Sequence, residues 1–127
     1  MIDYSPSRKT SAEKVRSETD VPNILLPARA RFSDKLTQRA MAFEMFRIDF
    51  NNGQNPRTAL VNINELAHKI AGVAETIGFP EAGRLATALE RSTSSGYEQH
   101  ASIEETWRIV EPQLVALVDE LELIMDA

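Results

Sequence analysis

A chain of 127 residues, of which 43% are hydrophobic and 26% charged, has the length and composition of one folded domain. It contains no cysteine and only two histidines, which excludes disulfides, thiolate metal sites and a di-iron helical bundle. No apolar stretch approaches the roughly 20 residues of a membrane-spanning helix, and the N-terminal residues lack the apolar core of a secretory signal. We therefore expect a cytoplasmic protein without a membrane span or a metal site.

Charge divides the chain into two unequal parts. Residues 1–31 carry six basic and four acidic side chains, whereas residues 32–127 carry eight basic and fifteen acidic ones. Nucleic-acid binding relies on a basic surface that neutralises phosphates, so the acidic body argues against a nucleic-acid partner. A protein partner is the better expectation for such a surface.

The first 31 residues are predicted to form a tail and a lead-in to the fold. Residues 1–20 are rich in Ser, Thr, Lys, Arg and Glu, and their low apolar content cannot offset the entropy of ordering, which predicts a flexible tail. The next segment is apolar but bracketed by Pro22 and Pro27, which predicts an extended segment that packs on the body. The folded domain is accordingly expected over residues 32–127.

The rest of the chain has apolar residues at helical spacing, and no stretch alternates with the two-residue period of a strand. Helix A is predicted over residues 33–51, with Ser33 as its N-cap. Helix B is predicted to begin with Asn55 as N-cap and Pro56 in the first helical position, and to end at Gly78. These signals make helix B the longest predicted element.

Two further helices complete the predicted fold. Helix C is expected to be short, to start near Pro80 and to fray into the Ser, Thr and Gly residues at positions 92–96. Helix D opens with a capping box between Ser102 and Glu105, and Pro112 inside it predicts a kink rather than a break. Four amphipathic helices joined by short connections predict an all-α, antiparallel up-down four-helix bundle.

Helix B holds the stretch that points to chemistry. His68 lies outside the apolar arc of this helix, and Gly72 follows one turn later on the same side. A glycine within a helix costs roughly 0.5 to 1 kcal/mol relative to alanine, and access of another protein to the imidazole would explain its presence. Two simpler explanations stay open, because a surface histidine usually has no role and a helical glycine can permit close helix packing. The apolar arc consists of Ile63, Leu66, Ala67, Ile70, Val73, Ala74 and Ile77.

This stretch resembles the signature of the histidine phosphotransfer (HPt) domains of bacterial phosphorelays. That signature has a phosphorylatable His, a Gly four residues later, a second Gly near the helix end, and a third helix that ends in a Leu and acid pair. The matching residues here are His68, Gly72, Gly78, Leu89 and Glu90. The four-helix plan extends the resemblance over the whole body of the chain.

The resemblance implies a phosphoryl carrier rather than a turnover enzyme. His68 would accept a phosphoryl group from the Asp of a receiver domain or from a sensor histidine kinase, and would pass it to the Asp of another receiver domain. Glu90 would accept the Nδ1 proton of His68 and orient the ring, while Gly72 would give access. The chain would need no cofactor of its own, since the Mg²⁺ of the transfer would belong to the receiver partner.

The resemblance also implies a docking surface around the histidine, formed by Val61, Glu65, Lys69, Ala71, Glu75, Phe79 and Arg84. One member departs from the family pattern. The family usually has a Lys three residues after the His, where its charge stabilises the phosphoryl oxygens, and this chain has Ala71. On a helix Lys69 points roughly 100° away from the histidine, and Arg84 and Arg91 are the other candidate cations. The missing lysine supports an alternative, an HPt-like helical scaffold that binds a response regulator without phosphotransfer.

Overall fold

The computed structural model of the chain describes residues 21–98 and 101–127, and this part is helical without strands. A 3-10 turn at Asn23–Leu25 leads into five α-helices, which are α1 Leu26–Asp34, α2 Leu36–Asn51, α3 Pro56–Ala71, α4 Pro80–Glu98 and α5 Ile103–Asp126. Within the described residues no helix is both long and apolar enough to cross a membrane. The predicted all-α class is confirmed, whereas the predicted flexible tail lies outside the described residues.

The four longer helices, α2 to α5, pack around one hydrophobic core. Both α3 and α5 contact α2 and α4, so each of the four helices packs against two neighbours. The largest fully buried side chains come from all four and include Phe43, Ile63, Ile70, Leu89 and Leu114. Burial of a side chain of this size stabilises the fold by about 1.5 to 3 kcal/mol relative to an exposed position.

The lead-in segment is helical, which corrects the prediction of an extended chain. Pro27 lies in the first turn of α1, where its fixed φ and its missing N–H are tolerated. Val21 is buried and Leu25 packs against the core, so the packing role of this segment is confirmed. Ser33 lies inside α1 rather than at a cap, and α2 begins after Lys35. The two prolines are compatible with a helical segment because Pro22 precedes the 3-10 turn and Pro27 lies in the first turn of α1.

The end of α3 differs from the prediction in one respect. Regular helix stops at Ala71, but irregular helical turns continue to Gly78, which has a left-handed φ of 97°. There the N–H of Gly78 donates to the carbonyl of Glu75 (3.3 Å) and the N–H of Phe79 donates to that of Ala74 (2.8 Å). These two bonds form a Schellman motif with glycine at C′. The stop signal at Gly78 therefore acts as predicted, and the helix before it is irregular.

The predicted apolar arc of this segment is largely buried. Its members Ile63, Ala67, Ile70, Ala74 and Ile77 are at most 3% exposed, and Leu66 is partly buried. Val73 is 43% exposed, so its predicted burial is wrong. The reason is its place at the edge of the arc beside the partly buried Leu66, since Ala74 and Ile77 keep the helical spacing of the buried residues.

Helix α4 is longer than predicted and includes residues 92–96, so the prediction of a loop there is wrong. The Thr93 hydroxyl donates to the carbonyl of Leu89, one turn earlier (3.1 Å). Gly96 lies so close to α5 that a Cβ at this position would approach Cγ2 of Thr106 to 2.8 Å. The close approach of Gly96 to α5, together with the hydrogen bond from Asn64 of α3 to Oγ1 of Thr93 (2.8 Å), offsets the low helix propensity of this Ser, Thr and Gly run.

The caps of α5 and α3 follow the prediction to different degrees. In α5 the Glu105 N–H donates to Oγ of Ser102 (3.1 Å) and the Ser102 N–H donates to Oε1 of Glu105 (2.9 Å), so the capping box is confirmed. The helix continues through Pro112, so the alternative of a break is excluded. Asn55 precedes α3 as predicted, but it has a left-handed φ of 49° and its side chain makes no capping bond.

Candidate functional site

His68 lies in the last turn of α3 with its ring open to solvent. Its side chain is 72% exposed, while the neighbouring Ala67 and Ile70 are fully buried. The predicted exposure is confirmed, but the predicted mid-helix position is wrong because regular helix ends three residues later, at Ala71. The imidazole is therefore held by a packed backbone and remains accessible to another molecule.

One ring nitrogen of His68 contacts a carboxylate from α4. Nδ1 lies 2.6 Å from Oε2 of Glu90, whose side chain is 30% exposed. An ionised carboxylate only accepts hydrogen bonds, so Nδ1 carries the shared proton and Nε2 keeps its lone pair in the neutral ring. The predicted proximity of Glu90 to the ring is confirmed. The contact leaves Nε2 as the nitrogen with nucleophilic character.

Asn64, one helical turn before His68, connects α3 to the part of α4 that carries Glu90. Its Nδ2 lies 3.0 Å from the carbonyl oxygen of Glu90, 2.8 Å from Oγ1 of Thr93 and 3.0 Å from Oγ of Ser94. The single proton of the Thr93 hydroxyl is shared between this Glu90 carbonyl (2.8 Å) and the Leu89 carbonyl (3.1 Å). Sequence reasoning missed this network because two of its three acceptors, Thr93 and Ser94, lie in the segment that was expected to be a loop.

Gly72 has open space where its side chain would be. It has a helical φ of −67°, and a Cβ there would meet only the backbone carbonyl oxygens of His68 (3.5 Å) and Lys69 (3.8 Å), which are ordinary contacts. Close helix packing is therefore not the reason for this glycine. Gly83 of α4 is the glycine in this region that permits close packing, because a Cβ there would lie 3.2 Å from the backbone nitrogen of Glu75.

Most of the residues expected around the histidine are exposed, namely Val61, Glu65, Lys69, Glu75 and Arg84, whereas Ala71 is partly buried. Arg84 donates from Nε to Oε1 of Glu81 (2.9 Å) and makes a second contact with the same carboxylate. That hydrogen bonding raises the pKa of Arg84 above its ordinary value. Arg84 is thus engaged within its own helix.

Phe79 is an exception among the expected docking residues. It is 3% exposed, its ring centroid lies 5.2 Å from that of Phe32, and the guanidinium carbon of Arg29 lies 4.5 Å from the same ring centroid. The prediction that Phe79 contributes to a docking surface is therefore wrong. The Schellman turn at Gly78 directs the following residue inward, where the Phe79 ring stacks on Phe32.

Comparison with known proteins assigns the family. A family model described as the Hpt domain matches residues 32–126, a region that contains α2 to α5 and both His68 and Glu90. No curated protein and no solved structure matches the chain. Hpt domains are helical phosphocarrier modules of two-component phosphorelays and are not turnover enzymes. Because the match covers most of its length, the chain belongs to the Hpt domain family, whose general role is histidine phosphotransfer in a phosphorelay.

Proposed function

We propose that this protein carries a phosphoryl group on Nε2 of His68. It receives the group from the Asp of a receiver domain or from a sensor histidine kinase, and it delivers the group to the Asp of another receiver domain. The observation that carries the proposal is the exposed imidazole whose Nδ1 lies 2.6 Å from the Glu90 carboxylate. Such a contact fixes the ring and leaves one nitrogen free to react.

The transfer step can be written with balanced bonds. Nε2 attacks the phosphorus of a receiver aspartyl phosphate, an N–P bond forms, the P–O bond breaks, and the Asp leaves as a carboxylate. The ring becomes positively charged when its lone pair is used, and its Nδ1 proton faces the negative charge of Glu90, which stabilises that state. Delivery to the next receiver reverses the same bonds, so the protein returns to its starting form.

The exposed residues near the ring would form the docking surface for the partner. Val61 is 55% exposed, and Glu65, Lys69 and Glu75 are also exposed on the same segment. Gly72 has no side chain in the way of an approaching protein. An apolar position surrounded by charged ones is typical of a transient protein interface.

We further propose that α2 to α5 follow one another in antiparallel up-down order. Two contacts between α2 and α5 support this order, because they join opposite ends of the two helices. Thr37 at the start of α2 donates to Sδ of Met125 at the end of α5 (3.1 Å). Trp107 near the start of α5 donates from Nε1 to Oδ1 of Asn51 at the end of α2 (3.0 Å).

The second candidate is a helical scaffold that binds a response regulator without phosphotransfer. Ala71 favours it, because no cation occupies the position at which the family usually places one, and Ala71 packs partly against the core. The scaffold and the carrier would share the same docking surface. They differ in whether a phosphoryl group becomes attached to His68.

Incubation with a phosphorylated receiver domain tests the proposal. The carrier function predicts a label on this chain that is labile in acid and stable in alkali, as expected of a phosphohistidine. His68→Gln should abolish the label and change the free energy of unfolding by less than about 0.5 kcal/mol, because the site is exposed. The matched control is His100→Gln, which replaces the other histidine of the chain and should label normally. A label that persists in His68→Gln contradicts the assignment, and tight receiver binding without any label favours the scaffold.

A further inference from the structure

A groove of about 320 Å³ lies between α1 and the segment that follows α3. Phe32 and Ile77, both buried, contribute apolar surface, and the 43% exposed Val73 forms part of the edge. Gly72 also lines it, so the groove begins one helical turn from His68. We refer to this feature as the α1 groove.

Three basic side chains, Arg31, Lys35 and Arg39, line the α1 groove, and no acidic side chain does. Arg31 and Lys35 are exposed, and neither has a carboxylate partner within the described part of the chain. Nη1 of Arg39 is buried without a hydrogen-bond partner among the described residues, and its guanidinium lies 5.3 Å from the ring centroid of Phe32. The groove thus has the opposite charge to the acidic body of the chain.

The location of the groove relates it to the candidate site. Most of α1 precedes residues 32–126, the part that matches the family model, so one wall of the groove is formed by an element outside that match. The opposite wall is the segment that directly follows the histidine-bearing turn. A protein that reaches His68 across Gly72 would therefore also reach the α1 groove.

We propose that the α1 groove binds an acidic segment of the receiver domain that docks at His68, an inference that rests on the proposed function. Carboxylates of that segment would pair with Arg31 and Lys35 at the rim, while an apolar side chain would pack on the exposed Val73 at the edge of the groove. A carboxylate near Arg39 would supply the hydrogen-bond acceptor that its guanidinium lacks. Opposite charges at the edge of an interface raise the association rate and help to select the partner.

Charge reversal at the two exposed cations tests the inference in the full-length chain. The probe is the receiver domain that binds the wild-type chain most tightly in a panel, with affinity measured by calorimetry. Arg31→Glu combined with Lys35→Glu should weaken binding by about tenfold at low ionic strength, since each reversal turns an attraction into a repulsion. The difference should narrow at high salt, where exposed charges are screened.

A matched control distinguishes the effect of charges in the groove from the effect of the protein's overall electrostatic field. Arg108→Glu combined with Asn52→Asp and Gln54→Glu makes the same change in net charge at three exposed residues near the end of α2 and the start of α5. Receiver affinity should change less than about twofold in this variant, because screening weakens charges more than about 8 to 10 Å away. Equal losses in both variants, or none in the groove variant, would overturn the inference, as would a panel in which no receiver binds.

Phosphorylation by phosphoramidate, a small donor that needs no docking, separates this inference from the proposed function. The groove variant should take up label from phosphoramidate at the wild-type rate. If receiver binding depends on the groove but the chain never becomes labelled, the result would support receiver docking in the groove and contradict the carrier function. A groove variant that fails to label from phosphoramidate would show damage at His68 itself and would overturn the assignment of its effect to docking.

The same measurements distinguish two other occupants of the α1 groove, namely the chain's own N-terminal residues and a second copy of the chain. Neutralisation of Glu13, Glu18 and Asp20 in the full chain leaves receiver affinity unchanged if the groove serves the partner. If the neutralised variant binds the receiver more tightly, and this gain disappears when Arg31→Glu and Lys35→Glu are added, the groove would be assigned to the chain's own N-terminal residues. If the wild type self-associates and the groove variant does not, the groove would be assigned to a second copy of the chain. Either result would overturn the proposal.

Discussion

The side-chain amide of Asn64 lies 3.0 Å from the backbone carbonyl oxygen of Glu90, so the helix that carries His68 is joined directly to the residue that contacts its ring. This bond acts on the backbone of Glu90 and leaves its carboxylate free for the imidazole. Positioning residues of this kind keep a reactive group in a productive geometry without contacting the reacting atoms. Asn64 is therefore expected to influence His68 through Glu90.

The first prediction concerns the tautomer of His68. Asn64→Ala should loosen the contact between Glu90 and the ring, because it removes the donor to the Glu90 carbonyl and to the hydroxyls of Thr93 and Ser94. Nitrogen-15 shifts of the His68 ring should then move towards the average of the two neutral tautomers, and labelling by phosphoramidate should slow. In a Glu90→Ala background the same substitution should produce no further change in either measurement.

Asn51→Ala provides the control for a loss of stability alone. Asn51 also joins two helices, since it donates to Oε2 of Glu111 (3.1 Å) and accepts from Trp107 (3.0 Å), but it does so at the end of α2. Each substitution should lower the free energy of unfolding by about 1 to 3 kcal/mol, because buried partners lose a hydrogen bond. Equal effects of the two variants on the His68 shifts would show that Asn64 has only a structural role.

The second prediction is that Gly72→Ala stabilises the protein while it slows transfer from a receiver domain. The backbone at Gly72 is helical and a Cβ meets only ordinary contacts, so the free energy of unfolding should rise by about 0.5 to 1 kcal/mol. The added methyl would lie on the accessible side near the ring and hinder a protein more than a small donor. Labelling by phosphoramidate should therefore change less than labelling by a receiver.

Gly83→Ala makes the same chemical change at a crowded position. A Cβ there would lie 3.2 Å from the backbone nitrogen of Glu75, so the neighbouring segment must shift to accommodate it. Chemical denaturation should show destabilisation by about 1 to 3 kcal/mol. If Gly72→Ala were also destabilising, the view that Gly72 serves access rather than folding would be wrong.

The third prediction addresses the position at which the family usually has lysine. Ala71→Lys should lengthen the lifetime of the phosphorylated form, because a cation one turn from His68 offsets the negative charges of Glu65, Glu75 and the phosphoryl group. The lysine stem can lie along the partly apolar surface there with its ammonium in solvent. The measurement is the decay of label after removal of the donor. An unchanged lifetime would indicate that Lys69 or a partner cation already supplies the charge.

The fourth prediction is a pH dependence that arises from Glu111. The hydrogen bond from Asn51, and then that from Arg47, hold the pKa of the Glu111 carboxyl below its ordinary value of 4.5. A lowered pKa in the folded state means that this carboxylate adds stability above pH 4.5 and loses that contribution as the pH falls through the lower value.

Glu111→Gln should therefore lower the free energy of unfolding at pH 7 by about 1 kcal/mol, a modest value because solvent screens these half-exposed groups. The difference from wild type should shrink as the pH falls below 4.5, as measured by urea unfolding across the acid range. Glu122→Gln, an exposed carboxylate on the same helix, should change stability by less than about 0.5 kcal/mol at every pH. A difference for Glu111→Gln that is constant with pH would contradict the prediction.

Local signals in the sequence predicted those parts of the fold that depend on neighbouring residues. The capping box at Ser102 and the stop at Gly78 occur where expected, because each is decided by a few backbone hydrogen bonds within one turn. The loop expected at residues 92–96 is instead helical, since its stability comes from Asn64 and Thr106 on other helices, which no local pattern contains.

The candidate site shows the same division between local and distant information. The exposure of His68 follows from its place outside the apolar arc, and its contact with Glu90 was expected from the family resemblance. The inward position of Phe79 follows from the Schellman turn at Gly78, and the outward position of Val73 follows from its place at the edge of the apolar arc. The irregular turns after Ala71 pack closely against Gly83 of α4. The helical spacing of apolar residues in the sequence does not reveal this close approach.

Trp107 is the sole tryptophan of the chain, and its ring stacks on Phe50 with the two centroids 3.9 Å apart. It contacts the end of α2, close in the chain to the start of α3, whereas His68 lies twelve residues along α3, or about 18 Å at the helical rise. Its fluorescence should consequently report global unfolding of the bundle and stay silent when a receiver docks near the histidine. The chain thus contains an intrinsic optical probe of folding that is spatially separated from the face that we propose for phosphotransfer.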